Sequence, residues 1–231
     1  MKNRIRKLIE LSKKPMKTEA EMKMVEIICL KFKTPEVEVE CAKRIIENTD
    51  WPYKLVMYDN RLNTASTAKI WNKLIKDSTC DYVMLIDSDA FVPKTSPCWL
   101  TRMMQSFEHK DCDVVVPVSD NCGGARQKVL GPEKYPSECK NNDVWSGFCF
   151  LFKKSVIDKV GGFDEQFYVY GQDSEWAWRI AHKGINTYMR KDVLVQHKSG
   201  YSFKKADSEG TFDRDADKTM ARLLYLKKTN G

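Results

Sequence analysis

Tyr82-Val83-Met84-Leu85-Ile86-Asp87-Ser88-Asp89 is the stretch on which the fold turns. Its apolar run reads as a strand buried on both faces, as in a parallel sheet covered by helices. Two carboxylates around one small residue then stand at the carboxyl end of a central strand. Open α/β sheets bind their ligands at such ends. Carboxylates so placed can hold a hard divalent cation, an ion that commonly also coordinates substrate phosphates. Taken alone, Asp-Ser-Asp is also an ordinary surface turn, and the surrounding sequence decides between the two.

Working outward, strand and helix signals alternate. Residues 25–32 read as a strand. Thr34-Pro35 reads as an N-cap followed by a first-turn proline, and Val37, Cys41 and Ile45 give the next helix its apolar side. Residues 53–58 form a second strand, Ala68, Trp71 and Ile75 mark a helix, and 81–86 is the third strand. A helix over 97–109 and a strand over 114–118 follow. This order implies an α/β fold with one Rossmann-like domain and a mostly parallel central sheet. Further on, 119–143 reads as a long irregular insertion, and such loops are usually functional or disordered. Residues 144–152 form an aromatic strand and 155–160 a short helix. A helix follows over 173–182 and stops at Gly184, with short strands at 185–189 and 193–197 and a terminal helix through 220–226.

The bulk properties agree. A chain of 231 residues can bury roughly 70–75% of its unfolded surface without a disulfide or metal staple. The formal charge of +7 suits an anionic ligand, a nucleic acid or an anionic membrane surface without choosing among them. None of the eight cysteines forms a C-x-x-C pair, which argues against a zinc ribbon or thioredoxin-type site. With no secretory signal they read as reduced thiols, and the protein as cytoplasmic. Residues 1–22 form a basic extension in which Ile5, Leu8 and Ile9 make one short helical stripe. That stripe could lie on a membrane surface or, more simply, pack on the domain or a partner. The domain proper is read as 23–231.

A second acidic cluster, Gly171-Gln172-Asp173-Ser174-Glu175, opens a helix. Asp173 is either an N-terminal cap or a base aimed into the cleft. Glu175 points away from it and is placed to meet Arg179 one turn on. Of the three histidines, His109 and His182 read as solvated. His197 ends an apolar strand before Lys198-Ser199-Gly200, where it could complete a metal site or simply be exposed. Asp59-Asn60 ends the second strand, either as a turn pair or with Asp59 bonding a base or ribose.

Together these pieces resemble a family 2-like glycosyltransferase of the GT-A fold. The longest matching block is Val160-Gly161-Gly162-Phe163-Asp164-Glu165-Gln166-Phe167, continuing through Tyr170-Gly171-Gln172-Asp173 to Arg179 and Gly184. Residues 25–30 with Tyr58-Asp59-Asn60 look like the family's first two strands. Trp71-Asn72 matches an asparagine before the third strand, Asp87-Ser88-Asp89 the metal and nucleotide-sugar motif, and Trp145-Ser146-Gly147 the strand lining the donor sugar. His197 matches a histidine that some members place on the metal. The chain departs from the pattern at Gln172, where the family usually has Glu, at Lys31-Phe32-Lys33, and throughout 119–143.

The resemblance implies a transferase that moves a sugar from a nucleotide-diphosphate sugar to an acceptor hydroxyl with inversion. It implies Mn²⁺ or Mg²⁺ held by Asp87, Asp89 and His197. Asp59, Asn72, Asp87, Trp145 and Gly147 would bind the nucleotide-sugar, and Asp173 would be the catalytic base. The acceptor is left open among glycan, lipid-linked and protein substrates, a peripheral membrane contact is compatible, and no nucleic acid is expected. Two rivals remain. A non-catalytic nucleotide-sugar-binding protein is conceivable because of Gln172. A sugar-1-phosphate nucleotidyltransferase fits less well, because Lys31–Glu36 has no glycine for a phosphate loop.

Overall fold

The structure, a computed structural model, describes residues 23–230 apart from 63–64, 124–125, 130–137, 142–143 and 211. The basic extension over 1–22, and much of the 119–143 insertion, lie outside the described residues.

The first half winds as expected. Strands β1 (Val25–Lys31), β2 (Tyr53–Asp59) and β3 (Tyr82–Asp87) alternate with helices α1 (Pro35–Asn48) and α2 (Thr67–Asp77). They pair in parallel in the order β2-β1-β3. The apolar runs explain the central places of β1 and β3, since Ile27, Ile28, Val83, Met84 and Leu85 are fully buried. Helix α1 turns Val37, Cys41 and Ile45 inward. Thr34 differs from the expected cap. Its hydroxyl donates to the Phe32 carbonyl, and its own carbonyl accepts from Val37 and Glu38. In α2, Ser66 caps through its hydroxyl, which accepts from the Lys69 amide at 3.2 Å.

After β3 come β4 (Ala90–Phe91), α3 (Trp99–Gln105) with a 3₁₀ turn over Ser106–Glu108, β5 (Cys112–Ser119), β6 (Glu138–Asn141) and β7 (Cys149–Lys153). Then follow α4 (Val156–Val160), α5 (Gln172–His182), β8 (Asn186–His197), α6 (Tyr201–Ser208) and α7 (Arg214–Thr229). The full sheet runs β2-β1-β3-β7-β5-β8-β4, with β6 also on β8. It is mixed rather than mostly parallel, because β7 lies antiparallel between β3 and β5. A parallel neighbour needs a crossover, usually helical, and β7 follows the 119–143 insertion instead. The two short strands expected at 185–189 and 193–197 are one strand. Its register against β5 jumps between Pro117↔Arg190 and Val118↔Leu194. The polar residues in that bulge satisfy each other, Arg190 donating to Asp192 at 2.7 and 2.9 Å.

Helices cover both faces. Residues of α1 and α3, including Cys41, Ile45, Trp99 and Met103, form one core. Residues of α2 and α5, including Trp71, Ile75, Trp176 and Ile180, form the other with Phe150, Phe152 and Phe163. Among the described residues no helix is long and apolar enough to cross a membrane.

The block Val160–Arg179 is held by one guanidinium. Arg179 meets Glu175 at 2.7 and 2.8 Å, as its spacing implies, and also donates to the carbonyls of Val160 and Gly162. Glu175 is 3% exposed. Arg179→Met therefore strands a buried carboxylate, and a loss of about 3–5 kcal/mol is expected in urea unfolding. Adding Glu175→Gln removes the stranded charge and should recover part of that loss.

Candidate active site

The carboxyl ends of β1 and β3 open into a cavity of about 190 Å³. Asp87 is the last residue of β3, and Ser88-Asp89 turns the chain into β4. Strand β4 pairs antiparallel with the end of β8, setting Ala90 opposite His197. This pairing delivers a histidine more than a hundred residues away in sequence to the Asp-Ser-Asp turn. His197 Nε2 lies 3.6 Å from Asp87 Oδ2 and 3.3 Å from Asp89 Oδ1.

Each member is held from behind. His197 Nδ1 meets the Asn121 carbonyl at 2.9 Å, its ring stacks on Phe148 at 5.0 Å, and its amide donates to Asp120 at 3.1 Å. The Asp89 carboxylate accepts from the Tyr201 amide at 3.2 Å, and the Asp89 carbonyl accepts from the Lys198 amide. The Asp87 amide donates to the Phe148 carbonyl at 2.8 Å.

This geometry fits a cation. An Nδ1–H pointing at a carbonyl leaves Nε2 as the free lone pair, a tautomer typical of metal-bound histidine. Nε2 is buried and has no hydrogen-bond partner. Ligand atoms of Asp87, Asp89 and His197 lie within 4.8 Å of one another. Without a cation these electron-rich atoms repel, and a proton is the smallest one that can answer. Burial pulls the His197 imidazole down, but the two carboxylates outweigh it and push it up to about 10. Burial, with the charges of Asp89 and Asp173, pushes Asp87 up to about 6 against the pull of His197. Two carboxylate oxygens and one imidazole suit a divalent metal better than a thiolate-seeking one.

Asp173 enters from another direction, in the first turn of α5, and lines the same cavity. Its Oδ2 accepts from the Gly147 amide at 2.7 Å, which fixes the carboxylate. Burial raises its pKa, while the bonds from Gly147 and Ser174 act in opposition. Gly147 must be glycine: a Cβ there would lie 2.4 Å from the Asp173 Cβ and 2.7 Å from its Oδ2. Gly147→Ala is expected to displace Asp173. Turnover should fall steeply while metal affinity at the Asp87–Asp89–His197 cluster, followed by Mn²⁺ titration, stays near wild type.

The sequence-derived candidates divide. Asp87, Asp89, Gly147, Asp173 and His197 all line the cavity. Asp59 does not. Its carboxylate is forked by Arg61, with Lys31 at 3.8 Å, and these cations hold it well below the usual carboxylate range. Its neighbour Asn60 lines the cavity instead. Asn72 is also elsewhere, with its side-chain amide pinning the Gly162-Phe163 turn. It donates to the Phe163 carbonyl and accepts from the Phe163 amide, both at 2.8 Å. A Cβ on Gly162 would lie 2.6 Å from the Asn72 oxygen. Trp145 is buried against Phe150 and Trp176 and supports the wall from behind.

The residues that sequence reasoning passed over are Tyr170 and Gln172, both in the cavity wall. Gln172 is 5% exposed and its side-chain oxygen has no partner. Both lie in the block already singled out, so the signal was present, though Gln172 read there only as a lost acid. Asn121 and Asp120 lie in the insertion and carried no signal.

Comparison with known proteins bears on this geometry. The model of glycosyl transferase family 2 matches residues 25–161, which include Asp87, Asp89 and Gly147 and stop short of Asp173 and His197. Over 76 residues the chain is 32% identical to the N-acetylglucosaminyl-diphospho-decaprenol L-rhamnosyltransferase of Mycobacterium tuberculosis. That alignment takes in 32% of this chain and 23% of the relative, so the chain spans about a quarter of the curated relatives it matches. Among solved structures, GalNAc-T7 with UDP, GalNAc and Mn²⁺ superposes with a TM-score of 0.59 at 11% identity, over 75% of this chain and 43% of that one. S. aureus TarS 1-349 gives a TM-score of 0.57 at 10% identity, over 89% of this chain and 72% of that one. The fold is of the GT-A type, and the family match covers more than half of the sequence: the chain belongs to glycosyl transferase family 2.

Proposed function

We propose that this chain is a metal-dependent glycosyltransferase that moves a sugar from a nucleotide-diphosphate sugar to an acceptor hydroxyl with inversion. The observation carrying this is that Asp87, Asp89 and His197 share one cavity with Asp173. A bound Mn²⁺ or Mg²⁺ would offset charge building on the diphosphate leaving group. Asp89 and His197 would hold it, with Asp87 assisting at the metal or the ribose. Asn60, in the lining of the donor cavity, contacts base or ribose, and Asp59, outside that lining and paired with Arg61, reaches the same ligand only from its edge. Gln172 offers its free oxygen to a sugar hydroxyl.

Asp173 takes the acceptor hydroxyl's proton as that oxygen attacks the anomeric carbon. Burial makes Asp173 more basic than a free carboxylate, and its bond from Gly147 keeps it aimed. Among the described residues no second carboxylate beside this base is placed as a nucleophile, which supports inversion. Asp87 and Asp89 would be engaged by the metal, and Glu175 is paired with Arg179.

The relative's name specifies a lipid-linked acceptor, and we carry that class over as the proposed acceptor, met at a membrane surface. We place the protein in a reducing, cytoplasmic setting, in which its cysteines remain thiols. A thermal-shift screen of nucleotide sugars with and without Mn²⁺ tests the reading. One base family should raise the melting temperature only with metal present. Stabilisation by nucleoside triphosphate and sugar phosphate, with pyrophosphate released, would replace it with a nucleotidyltransferase.

A further inference from the structure

A second cavity, of about 390 Å³, lies where α7 crosses the start of α5. It is lined by Val144, Tyr170, Ser174, Lys218, Arg222 and Tyr225, with Gly171 and Ala221 at its floor. Tyr170 also lines the donor cavity, and Ser174 is the residue after Asp173, so the two cavities flank the proposed base.

Its cations are unusual. Lys218 and Arg222 stand one helical turn apart on α7, a like-charged pairing that weakens a helix unless something neutralises it. Neither forms an ion pair among the described residues. The Lys218 ammonium sits 5.2 Å from the Tyr170 ring centroid, which holds it over the shared wall. Asp217, the acid beside them in sequence, is absent from the cavity lining, and its carboxylate accepts from the Tyr170 amide at 3.0 Å. Two unneutralised cations lining a concave site between two tyrosines match an anion attached to a less polar group.

We propose that this cavity is the acceptor's anion subsite. Lys218 and Arg222 grip a phosphate ester or diphosphate of the acceptor, while the acceptor's hydroxyl passes Tyr170 to reach Asp173. The proposal rests on the transferase reading above and adds to it the residues that hold the acceptor's phosphate. The phosphate can belong to a water-soluble acceptor or to a lipid-linked one. The outer face of α7 bears on that choice, because Met220, Leu223 and Leu226 stand exposed beside the cavity, at 57%, 59% and 42%.

The test is calorimetric titration of the full chain with inorganic pyrophosphate in a chelator. Without metal, Asp87, Asp89 and Asp173 repel the anion from the donor cavity. Saturable binding is expected, weakened by about tenfold or more in Lys218→Ala/Arg222→Ala, since two charge-assisted hydrogen-bonding groups are lost. The charge-conserving Lys218→Arg/Arg222→Lys variant should retain it. Both positions are exposed, so the melting temperature should hold. Geranyl diphosphate is the second probe. Tighter binding than pyrophosphate, reduced by Leu223→Glu, supports the subsite with a lipid-linked acceptor, and equal binding supports it with a soluble one. No saturable binding, or binding unchanged in the double alanine variant, overturns the subsite. UDP titrated in Mn²⁺ separates the two readings. If UDP binds equally to wild type and the double variant while pyrophosphate shows no site, only the subsite falls. If UDP and the other donor nucleotides fail to bind with metal while pyrophosphate binds as expected, the transferase reading falls and an anion site of another kind stands.

Discussion

Asp173→Asn is expected to lower the rate of sugar transfer by about 10²–10⁴-fold, the usual contribution of a positioned general base. The substitution preserves shape, and the side-chain carbonyl can still accept from the Gly147 amide, now met at 2.7 Å. What disappears is the basic oxygen. Donor affinity and melting temperature should therefore stay close to wild type, so kcat carries the loss. Burial raises the Asp173 pKa, so the basic form is lost on acidification earlier than for a free carboxylate. The acid limb of the wild-type kcat profile should lie above the ordinary aspartate range and vanish in the variant. Loss of folded protein with full rate per folded molecule would reduce Asp173 to a helix-end residue. A product that retains anomeric configuration, read by NMR, would contradict the single-base chemistry.

Asp89→Ala should abolish metal-dependent binding of the nucleoside diphosphate. It removes a buried carboxylate oxygen 3.3 Å from His197 Nε2. The same cluster fixes the pH dependence of metal affinity. With His197 pushed up to about 10, a metal arriving at neutral pH must displace the imidazole proton. With Asp87 pushed up to about 6, a second proton is displaced below that pH. Protons and metal compete for the same atoms, so affinity falls as pH falls. Between about pH 6 and 10 the loss should be about tenfold per unit, steepening below 6. Mn²⁺ titrations followed by electron paramagnetic resonance would show this slope. A flat profile would mean that His197 is not a ligand, and His197→Ala should then leave the titration unchanged.

The elements that local pattern can specify were legible. The buried run Tyr82–Ile86 ends at the Asp-Ser-Asp turn inside the cavity, and Glu175 meets Arg179 as helical spacing requires. What stayed hidden is non-local. Nothing near Cys149 says that β7 will run antiparallel, because strand direction depends on which neighbours are already placed. The bulge at Arg190-Lys191-Asp192 looked like a break between strands, since three charged residues stand in a row there, and Asp192 pairs with Arg190 and with Arg102 of α3. His197 was equally readable as an exposed residue until the β4–β8 pairing set it beside Asp89. Asn72 was singled out only through the resemblance, and nothing near it in the sequence says that its amide also holds the turn at Phe163.

The most direct measurement is release of nucleoside diphosphate from the donor chosen by the thermal-shift screen, in Mn²⁺ and in excess chelator, with wild type beside Asp89→Ala. The expected result is turnover in Mn²⁺, none in chelator, and none in the variant under either condition. Turnover of the nucleotide sugar that proceeds equally in chelator, or that survives in Asp89→Ala, would contradict a metal-dependent transferase built on Asp87, Asp89 and His197.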